Sequence, residues 1–225
     1  MQKTAENNQM KTRKKILVMV QFAIMLGITA IVCFTPLGSI PIGPVVATIA
    51  MVPVIITALL MGTLAGSLMG FFAGLFSFIV WTFTPPNPMI AFLFTPFYSL
   101  GEISGGFASI LICFVPRILI GTVTGLIFKA FNKFASKNKA SETVLYAICG
   151  IAGSLANTVL VLAGWYIFFS KEIAQAFAIE ISTVFNFAIL STFTTNGIPE
   201  AIVSAVIAAG VCLPVRHVLK KQNLL

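Results

Sequence analysis

One charged side chain, Arg117, lies in the middle of a long apolar stretch. Between Lys15 and Lys129 the sequence holds only two full charges, Glu102 and Arg117. A guanidinium in hydrocarbon is costly unless it is paired, so Arg117 should face the interior of a helix bundle or a wet cavity. Its fork of donors matches the two oxygens of a substrate carboxylate, and the alternative is a permanent ion pair with Glu200 or Glu102.

A second polar group, Asn157, shares one face of its helix with small and aromatic residues. Spacings of three, four and seven or eight positions place Gly153, Ser154, Gly164 and Trp165 on its side. The amide offers both donors and acceptors, which suits an amide or hydroxyl group on a ligand. The alternative is a hydrogen bond between helices.

Glu200 opens the last apolar run, in the block NGIPE at 196–200. A proline and an acid are ordinary in the first turn of a helix, but at the outer mouth of a cavity Glu200 could also accept hydrogen bonds from ligand hydroxyls. Further candidates for substrate binding lie near the outer ends of the helices, where an interfacial aromatic belt is the alternative for the rings. They are Asn87, Tyr98, Trp165 and Asn196.

Nothing in the sequence predicts catalysis. All six acidic residues are glutamates, so there is no aspartate for a Walker B motif or an aspartic dyad. No P-loop, zincin or nucleophile-elbow motif is present, and the single His217 lies among basic residues. We therefore expect no enzyme activity, no catalytic residue, no metal site and no cofactor, and any active transport would need an ATP-hydrolysing partner.

The elements that must position these residues are membrane helices. Of the 225 residues, 58% are hydrophobic and 9% are charged, against about 25% charged in typical globular domains. A span needs about 20 apolar residues, which predicts an all-α integral membrane bundle of six transmembrane helices at 16–34, 44–61, 63–82, 107–131, 144–169 and 198–218. Counting 173–193 as a seventh span would place the two termini on opposite sides of the lipid bilayer.

The positions of the basic residues predict the orientation. Twelve of the fourteen Lys and Arg residues lie in three short clusters beside apolar runs, which is typical of topology signals rather than of nucleic-acid binding. Six spans place all three clusters and both termini in the cytoplasm. The predicted domains are a basic cytoplasmic N-terminus at 1–15, a membrane domain at 16–218 that retains its first helix, and a basic cytoplasmic tail at 219–225.

The predicted extracellular loops are longer than the cytoplasmic turn near 61–63. They cover 35–44, 83–106 and 170–197, of which the second should be a structured lid against the bundle and the third a partly helical cap. Such asymmetry is expected of a protein that captures a small molecule from outside. The alternative is that the loops only connect helices.

Small residues recur at helical spacing in two of the predicted helices. They are Gly62, Gly66, Gly70 and Gly74 in the third helix, and Ala23 and Gly27, followed by Ala30, in the first. Such tracks let another helix approach to backbone contact. Each track either packs inside the bundle or docks a separate membrane subunit.

At this point the chain resembles a known family. Six helices, the proline- and glycine-rich first loop TPLGSIPIGP at 35–44 and the small-residue track of the first helix resemble the substrate-binding S component of energy-coupling factor (ECF) vitamin transporters. Four shorter blocks are similar to the pantothenate-type branch of that family. They are MVPVII at 51–56, CFVPRI at 113–118, GSLANT at 153–158 and NGIPE at 196–200.

The resemblance implies a protein of the bacterial cell membrane that binds a vitamin, with pantothenate as the first candidate. It also implies association with a transmembrane coupling protein and two cytoplasmic ATPases. By the family motif, Ala23 and Gly27 would contact the coupling protein, together with Ala30 on the same track. Three other functions stay open at this point, namely binding of another vitamin such as folate, a passive channel or stand-alone carrier, and a membrane scaffold.

Overall fold

The computed structural model describes residues 2–38, 40–42, 45–133 and 138–221, and these residues are almost wholly helical. The α-helices are α1 (Gln2–Phe34), α2 (Met51–Met61), α3 (Thr63–Phe83), α4 (Phe107–Phe131), α5 (Lys139–Phe177) and α6 (Ile198–Lys221). By length and composition, five helical segments could cross a membrane. They are Lys15–Phe34, Thr63–Phe83, Phe107–Phe131, Lys139–Phe177 and Phe193–Val218. These segments match five of the six predicted spans, and the chain is an integral membrane protein.

The second predicted span, 44–61, is helical only over Met51–Met61. Eleven residues rise about 16 Å, which is short of a hydrocarbon core of about 30 Å. The preceding segment Val45–Ala47 (β2) instead pairs antiparallel with Ile40–Ile42 (β1), as suits β-branched residues. Helix α2 is buried over all its residues from Met51 to Leu59, so it is a short internal helix of the bundle, and a sixth full-length helical span is not confirmed.

The segment between α3 and α4 is folded back onto the helices. Asn87 caps a 3₁₀-helix at Pro88–Leu93, and the strands β3 (Ser99–Leu100) and β4 (Ile103–Ser104) form a short antiparallel ribbon. Ile90 to Phe94 are all buried. The two ribbons are departures from the all-α prediction: β1, β3 and β4 lie within predicted loops, and β2 lies within the predicted second span.

Helix α5 continues eight residues past its predicted end at 169. It is interrupted at Phe169, whose backbone is non-helical, and there the Ser170 hydroxyl donates a hydrogen bond to the Tyr166 carbonyl. Such bonds from a serine back to the preceding turn bend helices. The left-handed residue Ala178 then ends the helix.

A nearly continuous helical path leads from that point into α6. It runs through a 3₁₀-helix at Ile181–Thr183 and two π-helices at Phe185–Leu190 and Phe193–Gly197. The region predicted as a partly helical cap, 170–197, is therefore mostly helical. π-Helices are rare, and they occur often at functional sites.

The glycine track of α3 packs inside the bundle. A Cβ atom added at Gly66 or Gly70 would collide with α2 or α4, and one added at Gly74 would press on Phe114 of α4. Gly62 differs from the other three glycines, because it is an exposed residue with a φ of 93° at the junction of α2 and α3. Its role is to turn the chain between two helices rather than to pack one against another.

Helix α1 lies at the edge of the bundle. Only 11% of its apolar window is buried, and its main anchor is Thr29, which is fully buried and contacts Met69 Sδ at 3.4 Å. Ala23 and Gly27 are exposed and Ala30 is half-buried. A Cβ added at Gly27 would meet no atom within 4 Å, so this track is not used for packing within the described chain.

Candidate functional site

The position of Arg117 is set by the proline before it. Pro116 lies inside α4 and has no N–H, so the carbonyl of Ile112 loses its usual helical donor. Arg117 Nη1 donates to that carbonyl at 3.1 Å. The chain thus uses the proline to create an acceptor inside the bundle and holds the guanidinium at it.

The guanidinium of Arg117 also lies over the ring of Phe94, with Cζ 5.3 Å from the ring centroid. Among the residues that the structure describes, no glutamate forms an ion pair with it, and the predicted alternative of a permanent pair with Glu200 or Glu102 is not found. Glu200 Oε1 instead accepts a hydrogen bond from the backbone N–H of Thr48 at 2.5 Å. A half-buried cation without a paired carboxylate can accept an anionic ligand.

Arg117 faces a cavity enclosed by α3, α4, α5 and the path into α6. Its volume is about 600 Å³ when the space at its opening is counted. It is lined by Thr48, Ser77, Trp81, Ile90, Phe94, Arg117, Asn157, Thr158, Val161, Leu162, Trp165, Thr192, Asn196 and Glu200. The lining therefore combines one cation, one carboxylate, two amides, four hydroxyls and an aromatic wall.

The aromatic wall consists of three rings, of which Phe94 contacts both tryptophans. Phe94 stacks on Trp81 with ring centroids 4.5 Å apart, and it meets the edge of Trp165 at 5.9 Å. Phe94 is the residue that closes the 3₁₀-helix Pro88–Leu93. The folded-back segment thus supplies the ring that supports both Arg117 and the tryptophans.

Several buried polar atoms of the lining have no hydrogen-bond partner within the described chain. They are Asn157 Oδ1, Trp165 Nε1, and both Nδ2 and Oδ1 of Asn196. Leaving a buried donor or acceptor unpaired costs about 1–3 kcal/mol. A cavity that concentrates such atoms is suited to a ligand that supplies the missing partners.

A smaller cavity of about 250 Å³ adjoins the first and shares four residues with it. The shared residues are Thr48, Ser77, Arg117 and Asn157. The other five lining residues are apolar: Met51 and Val54 come from α2, and the rest are Ala50, Ala73 and Ile120. The short buried helix thus contributes apolar residues to this part of the site.

The structure brings together five of the seven residues predicted to bind substrate. Arg117, Asn157, Glu200, Trp165 and Asn196 all line the cavity. The other two are not among its lining residues. Asn87 accepts a hydrogen bond from the backbone of Met89 as a helix cap, and Tyr98 packs against the hydrophobic cluster around Trp81 and Trp165.

The hydroxyl groups of the cavity are not among the residues predicted from the sequence. Thr158 could have been inferred from its neighbour Asn157, but Thr48 and Ser77 follow no pattern that separates them from other hydroxyl residues. Thr48 reaches the site because the loop after β2 is tied at two points. Its hydroxyl donates to the Gly38 carbonyl at 2.9 Å, and its N–H donates to Glu200.

Comparison with known proteins gives a family and a relative. The family model described as "ECF transporter, substrate-specific component" matches residues 17–212, which is most of the chain. The chain is also similar to the pantothenic acid transporter PanT of Lactococcus lactis subsp. cremoris (strain MG1363). The two are 28% identical over 170 residues, covering 75% of this chain and 76% of the relative.

Proposed function

This chain belongs to the family of substrate-specific components of ECF transporters, and from that premise we propose that it binds pantothenate outside the cell for uptake. The relative from Lactococcus lactis, named a pantothenic acid transporter, supports this choice of vitamin. The proposal rests mainly on the position of Arg117. Its cationic side chain lines the cavity and has no carboxylate bound to it among the described residues.

The chemistry of pantothenate matches the lining of the cavity. The molecule has a carboxylate at one end, an amide in the middle, and two hydroxyls beside a pair of methyl groups at the other end. Arg117 would bind the carboxylate in a forked geometry, and Glu200 would accept from a hydroxyl. The rings of Trp81, Phe94 and Trp165 would cover the methyl groups.

The proposal includes an orientation. With both termini in the cytoplasm the chain must cross the membrane an even number of times, so the short buried α2 would serve as the sixth crossing inside the bundle. The segments 35–50, 84–106 and 178–197 would then lie on the extracellular side, with the cavity beneath them. Burial of Ile90 to Phe94 and the bond between Thr48 and Glu200 support a cap that packs on the bundle. The vitamin would therefore enter from outside, and α2 would separate it from the cytoplasmic half.

Transport requires partners in this proposal, because the sequence has no ATP-hydrolysing motif. We expect a transmembrane coupling protein to bind the exposed track of Ala23, Gly27 and Ala30, and two cytoplasmic ATPases to drive uptake. The exposure of the track supports this role, since a Cβ at Gly27 would meet open space while those at Gly66 and Gly70 would meet backbone.

The proposal is tested by calorimetric titration of the purified chain with pantothenate, folate, riboflavin and biotin. Tight binding of pantothenate alone is the expected result. Tight binding of another of these vitamins, with weak binding of pantothenate, would overturn the choice of substrate and leave the family assignment intact. No binding of any small carboxylate would contradict the role of Arg117 as well.

A further inference from the structure

Two asparagines face the cavity from neighbouring elements with unpaired amide atoms. Asn157 on α5 is 5% exposed and Asn196 on the second π-helix is 3% exposed. The unpaired atoms are Asn157 Oδ1, Asn196 Nδ2 and Asn196 Oδ1. Because both atoms of the Asn196 amide lack partners, exchanging its oxygen and nitrogen would leave the donor and the acceptor equally available.

The two asparagines lie where α5 and the π-helix touch. A Cβ added at Gly197, next to Asn196, would be 2.8 Å from Cγ2 of Thr158, which is next to Asn157. This close approach needs glycine, so the contact is built into the fold. Both asparagines line the same cavity, from the two elements that meet at this contact.

The π-helix also keeps three polar residues in one line. Thr192, Asn196 and Glu200 are four positions apart, and all three line the cavity. In an α-helix, a residue four positions along is rotated past one full turn of 3.6 residues, whereas in the wider π-helix it stops short of one full turn. The rotation from Thr192 to Asn196, through the π-helix, and the rotation from Asn196 to Glu200, into α6, therefore have opposite signs and largely cancel. All three side chains can thus face the cavity.

We infer that Asn157 and Asn196 form a subsite for a secondary amide, so that the site selects N-acyl amino acids rather than small carboxylates in general. The inference rests on the proposed function, since pantothenate is an N-acylated β-amino acid. Asn157 Oδ1 accepts the ligand N–H, and Asn196 Nδ2 donates to the ligand carbonyl. A ligand without the N–H leaves Asn157 Oδ1 buried and unpaired, which is how hydrogen-bonding sites reject analogues.

The first test uses the unaltered protein. Calorimetry compares pantothenate with its ester analogue, in which an oxygen replaces the amide nitrogen and every other group is kept. We expect the ester to bind at least about tenfold more weakly, because one buried acceptor loses its donor. Equal affinity for the two compounds would overturn the amide subsite. Failure of both to bind would instead refute the proposed function.

Two substitutions separate the roles of the asparagines. Asn157→Leu removes the acceptor at similar size, so it should weaken pantothenate about tenfold and bring the ratio of ester to amide affinities close to one. Asn196→Leu removes the donor to the carbonyl that both compounds carry, so it should weaken both and preserve the ratio. A ratio unchanged in Asn157→Leu, or affinities unchanged in Asn196→Leu, would overturn the assignment.

The matched control is Asn87→Leu, an asparagine outside the cavity lining. It should leave both affinities and their ratio unchanged. Thermal unfolding of each variant checks that it is folded before titration. If a cavity variant does not fold, the comparison of the two ligands on the unaltered protein still decides between the subsite and its absence.

Discussion

The side chain of Arg117 bonds a carbonyl of its own helix and also lines the cavity. Its Nη1 bonds the carbonyl that Pro116 leaves without a donor, and its face lies on Phe94. Nη1 thus fixes the orientation of the guanidinium, whose charge is delocalised over the whole planar group. From this arrangement we derive one prediction for Arg117 and one for Pro116, which can be tested separately.

Arg117→Ala should lower the affinity for pantothenate by about 2–5 kcal/mol, because a buried anion would lose its partner. Arg117→Lys should recover only part of that loss, since an ammonium lacks the planar fork. Calorimetry measures both. Arg216→Ala is the control, because Arg216 is also half-buried but bonds Asn132 and Tyr146 away from the cavity. Equal effects at the two arginines would contradict the role of Arg117.

Pro116→Ala should restore the N–H that bonds the Ile112 carbonyl, and so displace Arg117 Nη1 from its anchor. We expect the helix to be no less stable while the affinity for pantothenate falls by about 0.5–1.5 kcal/mol, the value of one hydrogen bond. Thermal unfolding and calorimetry on the same sample separate the two effects. A loss of stability without a loss of affinity would argue against the anchoring role of the proline.

Much of the site could be predicted from residue types, and the reason is physical. Four of the lining residues are polar or charged groups in apolar stretches of the sequence, where such groups are costly unless they are paired or bind a ligand. They are Arg117, Asn157, Asn196 and Glu200. Thr48 and Ser77 could not be predicted in the same way, because small hydroxyl groups satisfy themselves on their own helix or loop. Their place in the lining depends on how the loop after β2 folds, which no local pattern encodes.

Among the secondary-structure elements, the contact of α3 with α4 depends most on glycine. The backbones meet at Gly66 and Gly121, and at Gly70 and the Arg117 carbonyl. The second of these contacts supports the part of α4 that carries Arg117. Packing of these helices and the geometry of the site are therefore linked.

Gly70→Ala and Gly121→Ala should each destabilise the fold by about 1–3 kcal/mol, because a methyl group would force two backbones apart. The midpoint of thermal unfolding in detergent is the measurement. Gly210→Ala is the matched control, as Gly210 is exposed on α6 with no atom within 4 Å of an added Cβ. A shift of the same size at Gly210 would show that the effect comes from glycine itself and not from the contact.

The sequence predicted the long helices better than α2. A run of about 20 apolar residues is enough to identify a span, and five segments met that condition. The run at 44–61 is equally apolar, but its first part pairs as a strand and only its second part is a helix. Hydrophobicity alone does not distinguish a buried short helix from a span, because the choice depends on the neighbouring chain.

At the scale of the whole molecule, the exposed track on α1 and the cavity lie on different elements, which predicts that ligand binding and partner binding can be changed separately. Gly27→Leu should leave pantothenate binding unchanged, because Gly27 is remote from the cavity lining. It should abolish co-purification of the coupling protein, since a large side chain blocks close helix approach. Gly210→Leu, at an exposed glycine on another helix, should retain both properties.

The chain alone should bind the vitamin and not transport it. Proteoliposomes that contain only this protein should take up no labelled pantothenate, and uptake should require the coupling protein, the ATPases and ATP. Uptake by the protein alone would support the carrier or channel alternative. Co-purification of unrelated membrane proteins without any ATPase would support a scaffold.

The aromatic wall also gives the protein a built-in optical reporter. The chain contains two tryptophans, Trp81 and Trp165, and both line the cavity. Its indole fluorescence therefore arises entirely at the site, and an arriving solute that pairs with Trp165 Nε1 should shift or quench the emission. Occupancy could then be followed in real time, without a dye or an isotope, in proteoliposomes that contain this chain alone.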